Sequence, residues 1–139
     1  MKKEFSPHWI SSKQPRKQRK YRYNAPLHRR RPMVSVHLHK SLRKEYSKRA
    51  LPARKGDEVK IMRGRFSGTS GKISRVDLKT LKVYVDNAKV KKVSGQEVEA
   101  PLDPSNLVIT KLEFDDKRRR TFIKRKGKKE EAKAEPKKK

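Results

Sequence analysis

The sequence predicts a mainly β protein: a small, strongly bent, five-stranded barrel with a basic extension at each end. Three observations lead there. Short alternating apolar runs crowd into residues 54–114, with Gly, Asp, Asn or Pro between them, the pattern of short strands and turns closing on themselves. Charge is unevenly spread: that stretch carries thirteen Lys/Arg and eight acids, residues 1–53 sixteen and two, and residues 115–139 thirteen and five. Only 31% of the 139 residues are hydrophobic and 41% are charged, so a core can enclose only part of the chain.

Taken in order, residues 1–53 read as a basic extension containing one short helix. Leu38, Leu42 and Tyr46 recur every four residues in LHKSLRKEYSKR, which predicts an amphipathic helix ending before Pro52. The barrel occupies 54–114. In DEVKIMR, Val59 and Ile61 alternate with polar residues. GKISRV sets Ile73 and Val76 out of strict alternation, which predicts a bulge or bend after Gly71. LKVYV places Leu81, Val83 and Val85 on one face and Tyr84 on the other. QEVEAPL alternates Val98, Ala100 and Leu102, with Pro101 marking a sheet edge. Asp103-Pro104-Ser105-Asn106 predicts a single helical turn, Asp103 capping it and Pro104 at its first position. LVITKLEF supplies the fifth strand. The expected core is Val59, Ile61, Ile73, Val76, Val83, Val85, Val98 and Ile109. Residues 115–131 predict a basic helix opening at Asp115 or Asp116, and KKEEAKAEPKKK a disordered tail.

A formal net charge of +27 points to a dense polyanion as partner. Cysteine is absent, which excludes disulfides and thiolate metal sites. No apolar run reaches the roughly 18 residues of a membrane span, and MKKEFSPHWISSK lacks the apolar segment of a signal peptide. His37 and His39 offer two metal ligands with no companion cluster, so no metal or other cofactor is expected. No nucleophile, base and acid arrangement is signalled. Asp57, Glu58, Asp77, Asp86, Glu97 and Glu99 read as surface charges limiting repulsion, and the chain reads as a binder rather than an enzyme.

Four basic constellations stand out. In KQPRKQRKYRYNAPLHRRR, Lys13, Arg16, Lys17, Arg19, Lys20 and Arg22 interleave with Tyr21 and Tyr23, and His28, Arg29, Arg30 and Arg31 follow. Cations neutralise phosphates and release counterions, while tyrosine faces and guanidinium planes stack on unpaired bases. Around the Gly64, Gly68 and Gly71 connection lie Arg54, Lys55, Arg63, Arg65, Phe66, Lys72 and Arg75. Glycine there permits positive φ and close approach of a sugar-phosphate edge. Its spacing is not that of a Walker loop, because Ile73 stands where Ser or Thr is needed. Lys89, Lys91 and Lys92 occupy a turn-rich link, and Arg118, Arg119 and Arg120 the C-terminal helix. The bland alternatives are a solvated tail, an ordinary Gly-rich hairpin and a solvated loop. The recurrence of basic clusters favours RNA contact.

RKGDEVKIMRGRFSGTSGKISRV resembles a KOW motif, which transcription elongation factors also carry. Together with DNAKVKKVSGQEVEAPLDPSNLVITKL and the arm KQRKYRYNAPLHRRR, it is similar to large-subunit ribosomal protein twenty-four of the universal family. The arm matches the archaeal and eukaryotic branch, called protein twenty-six in eukaryotes, and the similarity runs from about residue 5 to about residue 125. This resemblance implies an SH3-like barrel. It also implies binding to the 5′ region of large-subunit rRNA, a role in early subunit assembly and a place near the polypeptide tunnel exit of the cytoplasmic ribosome. Implied partners are that rRNA, neighbouring large-subunit proteins and, as candidates, nascent-chain factors; no membrane and no small-molecule substrate enter. By position, Arg54, Lys55, Arg63, Arg65, Gly68, Lys72 and Arg75 fall in the KOW region and Arg16 to Arg31 in the RNA-threading arm. The mechanism expected is a rigid head whose extensions take shape on RNA.

Overall fold

The computed structural model describes residues 5–6, 8–9 and 12–123. Two helices open it, α1 (Pro15–Asn24) and α2 (Leu27–Met33). They lead into strand β1 (Ser35–Leu38), helix α3 (Lys40–Tyr46) and strand β2 (Ala50–Pro52). Then come β3 (Glu58–Ile61), β4 (Ser70–Asp77), β5 (Lys82–Val85), β6 (Lys89–Lys91) and β7 (Glu97–Glu99). A single 3-10 turn, Pro104–Asn106, precedes β8 (Leu107–Lys111), and residues 117–123 are helical.

The fold is mainly β, as expected, but its sheet is larger than five strands. Six strands pair in the order β2-β1-β8-β3-β4-β5, and β6 with β7 forms a separate two-stranded ribbon. The β1–β8 pair is parallel, with Leu38 opposite Ile109, and the other pairs are antiparallel, which makes the sheet mixed. The five runs read from sequence become β3, β4, β5, β7 and β8. The break in alternation after Gly71 is a register shift between Ile73 and Arg75, where one strand bends against β5.

Residues 34–52 carry the largest correction. The four-residue spacing groups Leu38 with Leu42 and Tyr46 on a helix, yet Leu38 closes β1 and is fully buried. The helix starts two residues later and ends at Ser47, whose φ of 48° is the left-handed value that stops helices. Val34, Val36, Leu38 and Leu51 thus enter the same core as Val59, Ile61, Ile73, Val83, Val85, Leu107 and Ile109. Each such aliphatic side chain withdrawn from water is worth about 1.5–3 kcal/mol, so the arm's strands hold the sheet as firmly as β3 does.

Smaller corrections have equally local causes. Val98 is 40% exposed: it stands opposite Val90 on the two-stranded ribbon, outside the six-stranded sheet. Val76 is half-buried at the core margin. Leu81 leaves the strand face and turns the β4–β5 connection at φ 59°. Asp103 makes no side-chain cap; its carboxylate takes the Lys82 ammonium at 2.5 Å instead. Gly71 lies inside β4 rather than in the preceding turn, and a Cβ there would stand 2.8 Å from Val85 Cγ1. The link holding Lys89 and Lys91 is the ribbon strand β6, not a loop. The arm carries two helices, α1 and α2, Pro15 occupying the first helical position, where a missing N–H costs nothing. The tail at 128–139 and the helix expected at 124–131 lie outside the described residues.

Asp57 is not a surface charge. It is fully buried at the entry to β3, where its carboxylate accepts both guanidinium nitrogens of Arg119, at 2.6 and 2.7 Å. Backbone N–H groups of Arg54 and Glu113 donate to the same carboxylate at 3.1 and 3.0 Å. Every lone-pair direction of a charge in the core is therefore answered, as burial requires. Two further ties hold the C-terminal segment against the sheet. Arg54 pairs with Asp116, and Lys48 Nζ donates to the Phe122 carbonyl at 2.6 Å while sitting 4.0 Å from that ring's centre.

Candidate nucleic-acid interface

On α1, Arg16, Lys17, Arg19, Lys20 and Arg22 face solvent, because the helix buries none of its residues. The two tyrosines part company. Tyr23 is 79% exposed, whereas Tyr21 packs on Trp9 and Phe5 with ring centres 4.5 and 5.2 Å away. Phe5 and Trp9 stand four apart, but Tyr21 lies twelve positions beyond Trp9, so no local period brings all three together. Lys13 is exposed just ahead of the helix.

The run Arg29-Arg30-Arg31 divides in the same way. Arg29 and Arg31 are exposed, as is His28. Arg30 is a brace: its guanidinium donates to the carbonyls of Ala25 (2.7 Å), Tyr23 and Lys79 (3.3 Å). This fastens the α1–α2 joint to the β4–β5 turn. In the C-terminal run, Arg118 is exposed, Arg119 is the buried partner of Asp57, and Arg120 Nε donates to the Phe114 carbonyl at 2.5 Å. Successive helical residues point about 100° apart, so three adjacent arginines cannot share one surroundings.

The connection between β3 and β4 projects from the sheet. Arg63 and Arg65 are exposed there, and Gly64 and Gly68 hold φ of 95° and 89° with nothing within 4 Å of a Cβ. Their freedom serves the turn itself, in which the Gly68 N–H donates to Ile61 O at 2.9 Å. Phe66 does not join Arg63 and Arg65 in solvent but packs against the core margin. Lys55 and Lys72 are exposed, while Arg54 is tied to Asp116. Arg75 lies 4.0 Å over Tyr84 and 3.9 Å from Glu99. Lys89, Lys91 and Lys92 line the ribbon, Lys89 lying 3.8 Å from Glu97.

Among the described residues six ion pairs form, all on the sheet, its ribbon or the C-terminal segment; none touches α1, α2 or the 62–69 connection. The acids are spent where the sheet needs them, so the arm and the connection keep unneutralised charge. Carboxylate environments agree with this. The Arg54 guanidinium beside Asp116, helped by the Arg118 N–H, holds that carboxyl below its ordinary value. The Thr80 hydroxyl and the Lys79 and Thr80 N–H groups do the same for Asp77, locking the β4–β5 turn.

Residues 12–126 match the family model that describes eukaryotic ribosomal proteins L26 and their archaeal counterparts, the L24 proteins. The chain belongs to that family. It is also 51% identical over 115 residues to the large ribosomal subunit protein uL24 of Methanosphaera stadtmanae, a match that spans 83% of this chain and 98% of the relative. The family resemblance read from the KOW-like segment, the arm and the D-P-S-N-L turn is thereby established. As a family member the chain is a structural protein of the ribosome, not an enzyme.

Proposed function

We propose that this protein is a constituent of the large ribosomal subunit that grips rRNA with α1, α2 and the β3–β4 connection. The observation that carries the reading is the segregation of charge: ion pairs confined to the sheet and its straps, and bare cations on α1, α2 and the β3–β4 connection. Exposed Lys and Arg on a helix and a glycine-bearing turn neutralise phosphates, and the exposed Tyr23 adds a stacking face. Arg16, Lys17, Arg19, Lys20, Arg22, Arg29, Arg31, Arg63, Arg65 and Lys72 are the residues assigned to contact. Binding the 5′ region of the rRNA, action early in subunit assembly and a place near the tunnel exit of the cytoplasmic ribosome belong to the same proposal. They are supported by the family and by the relative's name.

An SH3-like barrel is part of this proposal. Its support is a nearly continuous circuit: β8 pairs β3, β3 pairs β4, and β4 pairs β5. Val83 and Leu102 then exchange hydrogen bonds of 2.9 Å, and the 3-10 turn leads back into β8. On this view residues 54–114 are the head, 1–53 the arm and 115–139 the tail, with β1 and β2 as the arm's anchor on the head.

Salt-dependent RNA binding tests the reading. Replacing the five cations Arg16, Lys17, Arg19, Lys20 and Arg22 with Gln leaves the core untouched, since none is buried. The log–log slope of affinity against salt should flatten by about one unit for each phosphate no longer neutralised. An unchanged slope removes α1 from the interface. Co-sedimentation of the intact chain with large subunits after a high-salt wash tests membership of the subunit, and free migration refutes it.

A further inference from the structure

We infer that the cleft between α2, β2 and helical residues 117–123 receives an unpaired RNA base together with its phosphate. This deepens the RNA-binding reading and rests on it. The cleft measures about 610 Å³, within the roughly 300–1,000 Å³ over which small ligands are enclosed. Its floor is apolar, formed by Leu51 and Pro52 with Pro32 beside them. Its rim is cationic: Arg31 comes from α2, and Lys117 and Arg118 from the facing segment.

Among the described residues no acid lines the cleft. Asp57 and Asp116, which approach its lining arginines, are already taken by Arg119 and Arg54. A pocket that combines an apolar floor with uncompensated cations suits a ligand that is flat and apolar in one part and anionic in another. Phe122 fits the flat part. It lines the cleft and is 54% exposed, although Lys48 already covers one face of its ring. A duplex keeps its bases stacked inside and cannot present one here. A peptide of Asp and Glu would satisfy the rim but has no π face to set against Phe122. The walls are held before any ligand arrives, by the Asp57–Arg119 pair and by Lys48 on the Phe122 carbonyl. Little ordering cost is therefore left for binding.

The test uses the full chain, a short single-stranded RNA carrying 2-aminopurine, and an RNA duplex of equal phosphate count. Single-strand binding should quench the fluorophore. Phe122→Leu keeps apolar bulk without a π face, and should remove the quench and weaken single-strand binding roughly 5- to 150-fold. Duplex affinity is the reference and should hold. Arg31→Gln with Arg118→Gln should weaken single-strand binding while leaving the quench at saturation. Should Phe122→Leu unfold the chain, photocrosslinking the unaltered protein to a 5-iodouridine strand decides: adducts on Phe122 or its cleft neighbours support the inference, and adducts only elsewhere overturn it. Equal affinity of wild type and Phe122→Leu for both RNAs also overturns it, with the RNA reading intact. Tighter binding of a short polyglutamate peptide, abolished in the arginine variants, would make the cleft a protein site and overturn it too. Failure to bind either RNA would sink the RNA reading itself.

Discussion

Arg119 and Asp57 stand 62 positions apart and meet as a two-pronged ion pair, with side chains 5% and 0% exposed. The pair joins the C-terminal segment to the entry of β3, so the tail's first turns belong to the folded body. A charge buried this completely is stable only while its partner is present.

Removing one partner should therefore be costly. We expect Arg119→Met to destabilise the protein by about 3–5 kcal/mol in urea titrations, because Asp57 is left charged in the core. Asp57→Leu combined with Arg119→Met should recover much of that loss. A single variant within about 1 kcal/mol of wild type would show that the pair does not hold the segment.

Gly71 and Gly68 should respond to alanine for different reasons. At Gly71 the new methyl would meet Val85 Cγ1 at 2.8 Å and Asn87 Nδ2 at 3.2 Å, so we expect a loss of about 1–3 kcal/mol from overpacking. Gly71→Ala with Val85→Ala should be less than additive. At Gly68 space is open and φ is 89°, so the cost is backbone strain of about 1–2 kcal/mol, which no neighbour's truncation relieves. Thermal unfolding of the single variants, each with and without Val85→Ala, separates the cases.

Acid stability should depend on Asp116 and Asp77. Both carboxyls sit below their ordinary 3.8, Asp116 through Arg54 and Asp77 through Thr80. A depressed native value means the contribution is present above about 3.8 and disappears as pH falls through the lower native value. Carboxyl-carbon NMR titration should show both midpoints below 3.8, and Arg54→Gln should lift that of Asp116 toward it. An Asp116 midpoint unmoved by Arg54→Gln would refute the pairing.

Tyr46 should mark the alkaline limb. Burial first, then the Glu45 side chain, pushes its phenol from 10.0 up to about 12. A raised native value stabilises the fold below pH 10 and is lost as pH climbs toward 12. The phenolate absorbance titration should contain a component near 12 that Tyr46→Phe abolishes. Its persistence in that variant would assign it elsewhere.

Much of the head was legible because a two-residue period leaves a mark in the sequence. Val59 and Ile61 flank Lys60, Val83 and Val85 flank Tyr84, and all four are buried as expected, as is Ile109 in the denser run LVITK. The D-P-S-N turn was equally plain, since Pro104 is suited to open a helical turn. β1 and β2 were not. VSVHL and ALP are short, and Leu38 fits a four-residue spacing with Leu42 and Tyr46 as well as it fits a strand. Only the parallel pairing of Leu38 with Ile109 resolves that ambiguity.

Of the candidate interface, the sequence by itself determined the family and the regions of surplus charge, because charge density and local motifs need no fold to be read. Tertiary structure alone decided which cations are free. Arg29, Arg31 and Arg118 face outward, while Arg30 braces a joint, Arg54 holds Asp116 and Arg119 answers a buried carboxylate. An arginine's role depends on what stands within hydrogen-bonding reach of its guanidinium. For Arg119 that is Asp57, brought close by the folding of the sheet across 62 positions.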